Sequence, residues 1–246
     1  MLRGRFAKVA AMRLFLQPRR SRVGPLEVVE FPASAGAPVV VCLHGYGADA
    51  ADLAPLAAEL ELPGPARWLF PEAPLGVGPF GPGRAWFPID EAELMKAQVE
   101  GGGLDVSGGR PDGLDAAVAC VGAFVAALEV PWGEIILGGF SQGAMVALEA
   151  ALGAPEAPRG LFLLSTALVD EDSLASRAAG RAGLAFFQSH GRSDPLLPFA
   201  GAQRLHEGLA SAGLAGDFCP FEGGHTVAAE TAKGLERYLA GRWGGD

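Results

Sequence analysis

The chain has 246 residues, of which 50% are hydrophobic and 19% are charged, so it holds enough apolar material for a large buried core. Its formal net charge of −9 indicates an acidic surface, which argues against nucleic acid and anionic membranes as partners. No uninterrupted apolar run reaches the length of about 18 residues that a transmembrane helix requires.

The first 22 residues differ from the rest of the chain in charge. They hold seven basic residues and no acidic residue, whereas residues 23–246 carry 12 basic and 28 acidic residues, a net charge of −16. Arg13 interrupts the apolar run and no small-residue cleavage site follows, so a secretory signal is not expected, and Met12 is an alternative start. We interpret residues 1–22 as a flexible basic extension and residues 23–246 as one domain.

The three cysteines, Cys42, Cys120 and Cys219, all lie in apolar runs without metal-ligand spacing. An odd number of scattered cysteines is typical of reduced, buried thiols, which predicts a cytoplasmic location. The sequence also lacks an H-E-x-x-H motif, so a zinc site is not expected. No organic cofactor is expected either.

Apolar runs bounded by Gly and Pro predict strands at residues 26–31, 39–43, 68–70, 134–138, 160–164, 184–189 and 218–221. Apolar residues at helical spacing predict helices from about residue 52 and over 114–128, 144–152, 201–212 and 227–239. Residues 71–112 form a long loop with one short helix, 91–98, and loops of this length are usually functional. Strands alternating with helices predict an α/β fold, in which ligands bind at the carboxyl ends of a mostly parallel sheet that helices cover on both faces.

One turn between a strand and a helix has the G-x-S-x-G pattern, Gly139-Phe140-Ser141-Gln142-Gly143. In this context the pattern is typical of a nucleophilic serine, because the glycines let the backbone turn sharply and the serine projects from the turn. The backbone N–H of Gln142 lies at the amino end of the helix, where donors are unpaired and the dipole favours an anion. The alternative is a Gly-rich joint with a packed serine.

A serine hydroxyl needs an adjacent base, and the base needs an orienting acid. Of the four histidines, His225 follows two glycines after the last predicted strand, where a mobile turn can carry its ring over the sheet. His44 and His190 each precede a glycine at a strand end, where a histidine more often pins a loop. His206 lies between polar neighbours in a predicted helix and is expected to be exposed.

The acid is expected after a strand that lies between the serine and the histidine in sequence. Asp194 meets this condition, because it lies in the turn after strand 184–189. Asp170 and Asp172 are alternatives, but their acidic cluster is typical of a solvated face or a helix start. The preferred order Ser141, Asp194, His225 is that of α/β hydrolases.

A second Gly-rich turn, His44-Gly45-Tyr46-Gly47, follows an early strand. Its backbone N–H at Tyr46 can pair with that of Gln142 to hold the oxyanion of a tetrahedral intermediate. The same turn also mimics a dinucleotide-binding fingerprint, but no acidic residue ends a second strand about 20 residues later.

These turns together resemble the phospholipase/carboxylesterase family, small bacterial serine esterases of the α/β-hydrolase fold that are similar to acyl-protein thioesterases. The motifs are Leu43-His44-Gly45-Tyr46-Gly47-Ala48-Asp49, Arg84-Ala85-Trp86-Phe87-Pro88, the Ser141 turn, Ser189-His190-Gly191 with Asp194-Pro195, and Gly224-His225. The resemblance implies Ser141, Asp194 and His225 as a triad, the backbones of Tyr46 and Gln142 as oxyanion donors, and Trp86 at the substrate cleft. Pro88 stands where many relatives carry an acidic residue.

The expected activity is hydrolysis of small to medium acyl esters, or of thioesters or lysophospholipids, through an acyl-enzyme. An acyltransferase on the same triad and a ligand-binding relative without turnover are the alternatives. The expected partner is a small-molecule ester, with no nucleic acid, no stable membrane insertion and no large lid domain. We expect a monomer or a homodimer.

Overall fold

A computed structural model describes residues 17–78, 83–100 and 103–243 of the chain. The strands are β1 (Arg19–Val23), β2 (Leu26–Phe31), β3 (Val39–Leu43), β4 (Arg67–Pro71), β5 (Leu75–Gly76), β6 (Arg84–Ala85), β7 (Ile135–Phe140), β8 (Gly160–Leu164), β9 (Ala185–Gly191) and β10 (Ala215–Phe221). The helices are α1 (Leu56–Glu59), α2 (Glu91–Glu100), α3 (Leu114–Ala127), α4 (Gln142–Gly153), α5 (Glu171–Ala178), α6 (Phe199–Ser211) and α7 (Ala229–Ala240). Within these ranges no helix combines the length and the apolar character that a bilayer span needs.

Eight strands form one twisted sheet in the order β1-β2-β4-β3-β7-β8-β9-β10, and β5 pairs with β6 in a separate ribbon. The β1–β2 and β2–β4 pairs are antiparallel, whereas every pair from β4 to β10 is parallel. The prediction of a mostly parallel sheet is therefore confirmed. Parallel pairing brings the carboxyl ends of β3, β7, β9 and β10 to the same edge of the sheet.

The central strands are apolar on both faces because helices cover both faces. In β3, Val39, Val41 and Leu43 pack into the core formed with α3, α4, α5 and α6, whereas Val40 and Cys42 pack into the core formed with α1 and α7. This alternation follows the two-residue repeat of a strand. All five side chains are buried, and burial of each valine or leucine contributes about 1.5–3 kcal/mol to folding.

The beginning of the chain differs from the prediction. Residues 19–22 were expected to belong to a flexible extension, but they form most of β1, which pairs with β2 through a hairpin that places Val23 opposite Leu26. Gly24 in the hairpin turn has φ 53°, a conformation that glycine adopts without a steric penalty. Charged, largely exposed edge strands of this kind lack the apolar pattern that identifies a strand. Residues 1–16 of the expected extension 1–22 lie outside the described residues.

The segment predicted as a long loop contains more regular structure than expected. Helix 91–98 is confirmed as α2 (Glu91–Glu100), and the short β5–β6 ribbon precedes it. The helix predicted from residue 52 begins only after Pro55, and α1 has a single turn. The acidic cluster after β8 starts a helix, α5, which was one of its two interpretations.

Candidate active site

Ser141 lies between the end of β7 and the start of α4, as the G-x-S-x-G pattern predicts. Its backbone has φ 54° and ψ −121°, a conformation that costs a residue with a side chain about 1–3 kcal/mol. Surrounding hydrogen bonds hold it there: the Ser141 N–H donates to Leu164 O at 2.9 Å, and Ser141 O accepts from the N–H groups of Ala144 and Met145.

The two glycines of the motif are required by the close approach of β3. A Cβ atom at Gly143 would collide with the carbonyl oxygens of Leu43 and His44, and a Cβ at Gly139 would lie 2.6 Å from Leu43 O. The absence of these side chains lets α4 begin directly beside the end of β3. The Tyr46 turn and the Ser141 turn are therefore adjacent.

The structure brings Ser141, His225 and Asp194 into one chain of hydrogen bonds. His225 Nε2 lies 2.8 Å from Ser141 Oγ, and His225 Nδ1 lies 2.7 Å from Asp194 Oδ2. Because a carboxylate only accepts hydrogen bonds, Nδ1 carries the proton and Nε2 is free to accept from the serine hydroxyl. The Phe140 ring, with its centroid 4.8 Å from that of His225, packs against the imidazole.

The Asp194 carboxylate is completely buried and fully hydrogen-bonded. Its Oδ1 accepts the backbone N–H groups of Leu196 at 2.9 Å and Leu197 at 3.0 Å, and its side chain has 0% exposure. Burial acts to raise the pKa of Asp194, but the hydrogen bond and charge of His225 and the two backbone donors outweigh burial and lower the pKa below its usual value. The carboxyl group is therefore ionised near neutral pH.

The turns that carry the acid and the histidine are docked against each other. Arg192 N–H donates to Phe221 O and Ser193 N–H donates to Gly223 O, both at 2.9 Å. Gly191 permits this contact, because a Cβ there would collide with the backbone of the glycines before His225. The last residues of β9 and β10 thus set the distance between the two turns.

The Tyr46 turn lies at the end of β3 and is held by β6. Gly47 N–H donates to Arg84 O, and Arg84 N–H donates to Ala48 O, both at 2.8 Å. The Tyr46 N–H donates to no atom of the described residues, so it is free for a ligand. The Tyr46 hydroxyl donates to Glu91 Oε1 at 3.0 Å and so joins the turn to the start of α2.

Trp86, which the resemblance implies at the substrate cleft, has a buried side chain in the structure. Its side chain is 1% exposed, its indole N–H donates to His44 O at 2.9 Å, and its ring packs in the core. The Gln142 amide holds the same segment: its oxygen accepts from Trp86 N–H at 2.8 Å, and its nitrogen donates to Phe87 O at 2.7 Å. Sequence reasoning missed this role of Gln142, because partners 55 and 56 positions away leave no local pattern.

Neither His44 nor His206 hydrogen-bonds to Ser141 in the described structure. His44 pins a loop as predicted, since Nδ1 bonds to Gly45 O at 2.8 Å and Nε2 accepts from Ala73 N–H at 3.1 Å. Burial lowers the pKa of His44, which keeps it neutral. His206 was expected to be exposed, but it is half-buried because its ring stacks on Phe218 with a centroid separation of 5.3 Å.

The alternative acids do not contact His225. Asp170 has φ 48° and lies at the N-cap position of α5, where its carboxylate accepts the Ser173 hydroxyl. Asp172 is exposed in the first turn of the same helix. Asp194 is therefore the acid that the described structure places beside His225.

Comparisons with known proteins agree with this arrangement. Residues 25–240 match the family described as Phospholipase/Carboxylesterase. Acyl-protein thioesterase 1 of Schizosaccharomyces pombe is 31% identical over 138 residues, which cover 55% of this chain and 58% of the relative, less than two thirds of its length. Acyl-protein thioesterase 1 of Mycosarcoma maydis is 27% identical over 189 residues, which cover 66% of this chain and 71% of the relative.

Among solved structures, the crystal structure of esterase PE8 is similar over 88% of this chain and 97% of its own, with 27% identity and a TM-score of 0.70. The family match takes in the Tyr46 turn, the Ser141 turn and the segments that carry Asp194 and His225. The chain therefore belongs to the phospholipase/carboxylesterase family of α/β hydrolases, a family of enzymes that hydrolyse ester bonds.

Proposed function

We propose that the protein is a serine carboxylesterase that hydrolyses small to medium acyl esters through an acyl-enzyme. The single observation that carries this proposal is the unbroken chain of hydrogen bonds from Ser141 Oγ through His225 to Asp194. This chain of hydrogen bonds lies beside the Gly-rich turns at Tyr46 and Ser141, which both offer backbone N–H donors. This combination supplies a nucleophile, a base, an orienting acid and a site for the oxyanion.

In the acylation step, Ser141 Oγ attacks the carbonyl carbon of the ester while His225 Nε2 takes the hydroxyl proton. Asp194 stabilises the imidazolium that forms, because its ionised carboxylate already bonds to Nδ1. Collapse of the tetrahedral intermediate breaks the bond to the leaving group. His225 gives its proton to the departing oxygen or sulfur, and the acyl group remains on Ser141.

The backbone N–H groups of Tyr46 and Gln142 stabilise the tetrahedral intermediate. The Gln142 N–H opens α4, where the first N–H groups have no intrahelical partner and the dipole favours negative charge. Loss of one such donor in a serine hydrolase lowers kcat by about 10²–10³. The side chain of Gln142 and the buried Trp86 keep the two turns in register.

Deacylation repeats the same steps with water as the nucleophile. His225 Nε2 takes a proton from water, the hydroxide attacks the acyl carbon, and the proton returns to Ser141 Oγ as the acid leaves. A thioester follows the same path with a sulfur leaving group. The two relatives named acyl-protein thioesterase 1 support thioesters as a second substrate class.

The preference for short acyl groups rests on the limited cover over the site. Within the described residues, no domain is inserted between the strands to cover Ser141. The long loop and the segment after β8 are the two candidates for a cover. Each buried methylene contributes about 0.8 kcal/mol, so the first few carbons of an acyl chain gain binding energy and longer chains do not.

A series of p-nitrophenyl esters and acyl-CoA thioesters from two to sixteen carbons tests this proposal. We expect kcat/KM to rise over the first few carbons and then to fall, with Ser141→Ala as the inactive control. A steady rise to the palmitoyl ester, or activation by lipid vesicles, would contradict the substrate preference. Inactivity towards the whole series would contradict the esterase itself.

A further inference from the structure

His190 contacts the acid of the proposed triad. It lies in β9, four residues before Asp194, and its side chain has 0% exposure. His190 Nε2 lies 2.9 Å from Leu197 O and 3.3 Å from Asp194 Oδ2. The same carboxylate oxygen accepts from His225 Nδ1 at 2.7 Å, so it lies between two imidazole rings.

The surroundings of His190 determine which nitrogen carries its proton. Both groups near Nε2 are acceptors, so Nε2 carries the hydrogen, donates it to Leu197 O and lies 3.3 Å from Asp194 Oδ2 in a close electrostatic contact. Nδ1 has no hydrogen-bond partner among the described residues, and a second proton there would be buried without an acceptor. Burial lowers the pKa of His190, which is consistent with a ring that stays neutral.

The charged groups around His190 are few. Asp194 and His225 are the two titratable groups that act on it electrostatically. On the α6 side the ring of Phe199 lies 6.1 Å from His190 between centroids, and the Arg192 guanidinium lies 5.1 Å from the centre of that Phe199 ring. A change at His190 therefore acts chiefly on Asp194, and through Asp194 on His225.

We propose that His190 is a positioning residue for the proposed triad: the positive end of its Nε2–H dipole lies beside Oδ2 of Asp194, favours the orientation of the carboxylate towards His225 and attracts part of its negative charge. The proposal rests on the proposed function, in which His225 is the base. Two backbone donors, from Leu196 and Leu197, and the Nε2–H of His190 beside Oδ2 then orient the carboxylate independently of His225. The neutral His190 cannot take up the proton that His225 accepts during turnover.

Two substitutions separate the N–H of His190 from its packing. His190→Phe keeps a ring beside Phe199 but removes the donor, whereas His190→Gln places an amide N–H close to the position of Nε2. Without the donor, the carboxylate turns more freely and carries more negative charge towards His225, which then holds its proton to higher pH. His206→Phe is the matched control, because its ring stacks on Phe218 and makes no contact with the triad.

The readouts are the pH profile of kcat/KM and the low-field proton NMR signal of His225 Nδ1–H. For His190→Phe we expect the acidic limb of the profile to move up by about 0.5–1 pH unit and kcat to fall about tenfold. His190→Gln restores the wild-type limb, and His206→Phe leaves it unchanged. The NMR titration needs no turnover, so it tests the contact even if the protein has no esterase activity.

The proposal is overturned if, in folded His190→Phe, both the acidic limb of the kcat/KM profile and the NMR signal change at the same pH as in the wild type. It is also overturned if His190→Gln shifts the limb as far as His190→Phe, because packing alone would then explain the effect. If His190→Phe does not fold, His190→Asn replaces it, since the shorter amide does not reach Oδ2. A wild-type limb in His190→Asn overturns the proposal in the same way.

Discussion

Asp194 is the residue on which the geometry of the site depends most. One of its oxygens accepts two backbone donors, and the other faces His225 and His190. An amide at this position keeps the volume of the side chain but presents a donor where a carboxylate oxygen accepted. The His225 ring is then held in the wrong tautomer, with its proton on Nε2.

Asp194→Asn is therefore expected to lower kcat by about 10⁴ while the fold is retained. The measurement is steady-state hydrolysis of a short p-nitrophenyl ester, with circular dichroism to verify folding. Asp170→Asn is the matched control, because the Asp170 carboxylate accepts the Ser173 hydroxyl at the start of α5 and does not contact His225. A large loss of kcat in Asp170→Asn together with an active Asp194→Asn would show that the acid is assigned to the wrong residue.

The buried neutral histidines make stability depend on pH. The folded pKa values of His44 and His190 lie below their usual value, so below about pH 6.5 the unfolded chain binds protons that the folded chain excludes. The contribution of these two histidines to the free energy of unfolding is therefore complete above this pH. It is lost as pH falls, by up to about 1.4 kcal/mol per pH unit for each histidine. The depressed pKa of Asp194 acts in a separate, more acidic window, below about pH 4.

Calorimetric Tm values are thus expected to fall steadily between pH 7 and pH 5. The His44→Gln variant removes one of these groups and is expected to show a shallower decrease. A Tm that is independent of pH over this range would contradict the neutral, buried state of both rings.

At the scale of elements, an ion-pair network ties the back of α4 to its surroundings. Glu149 in α4 has a side chain that is 4% exposed, and its carboxylate pairs with Arg110 at 2.7 Å and with Arg177 of α5. Arg177 also donates to Val169 O and Asp170 O. The network therefore fixes the long loop and the segment after β8 against the helix that begins directly after Ser141.

Glu149→Gln removes the charge that both arginines share. Because Arg110 and Arg177 remain partly exposed, we expect a loss of about 2–3 kcal/mol in the free energy of unfolding, somewhat less than for a fully buried pair. Urea unfolding measures the change. Glu207→Gln, at an exposed position in α6, is the control and should change stability by less than about 0.5 kcal/mol.

The elements also show which features can be predicted from sequence. β3 and β7 are continuous apolar runs because both faces are buried, so their pattern is unambiguous. β1 has no such pattern, because its arginines point to solvent and only backbone pairing defines it. The contacts of His190 with Asp194 and of Gln142 with Trp86 depend on side-chain positions within the folded core. The burial of Trp86 likewise depends on partners that are distant in sequence.

At the scale of the whole molecule, the boundary of the basic segment can be tested by truncation. Deletion of residues 2–16 removes basic residues but leaves β1 intact, so Tm and kcat/KM are expected to stay unchanged. Deletion of residues 2–22 also removes most of β1 and exposes the edge of β2, which should lower Tm. We expect kcat/KM of the folded protein to be the same in both truncations, because β1 lies at the edge of the sheet and three strands separate it from β7.

If the protein without residues 2–16 folds but has no activity, the basic segment contributes to the site. An unchanged Tm after deletion to residue 22 would show that β1 adds nothing to stability.

The central claim is that Ser141 is the nucleophile of an esterase. Its most direct test is labelling with a fluorophosphonate, followed by mass spectrometry of the labelled peptide, in parallel with hydrolysis of p-nitrophenyl acetate. We predict a single phosphonylated residue, Ser141, and a loss of kcat of about 10⁴–10⁶ in Ser141→Ala with an almost unchanged Tm. Labelling at another residue, or activity of Ser141→Ala within tenfold of the wild type, would contradict the claim.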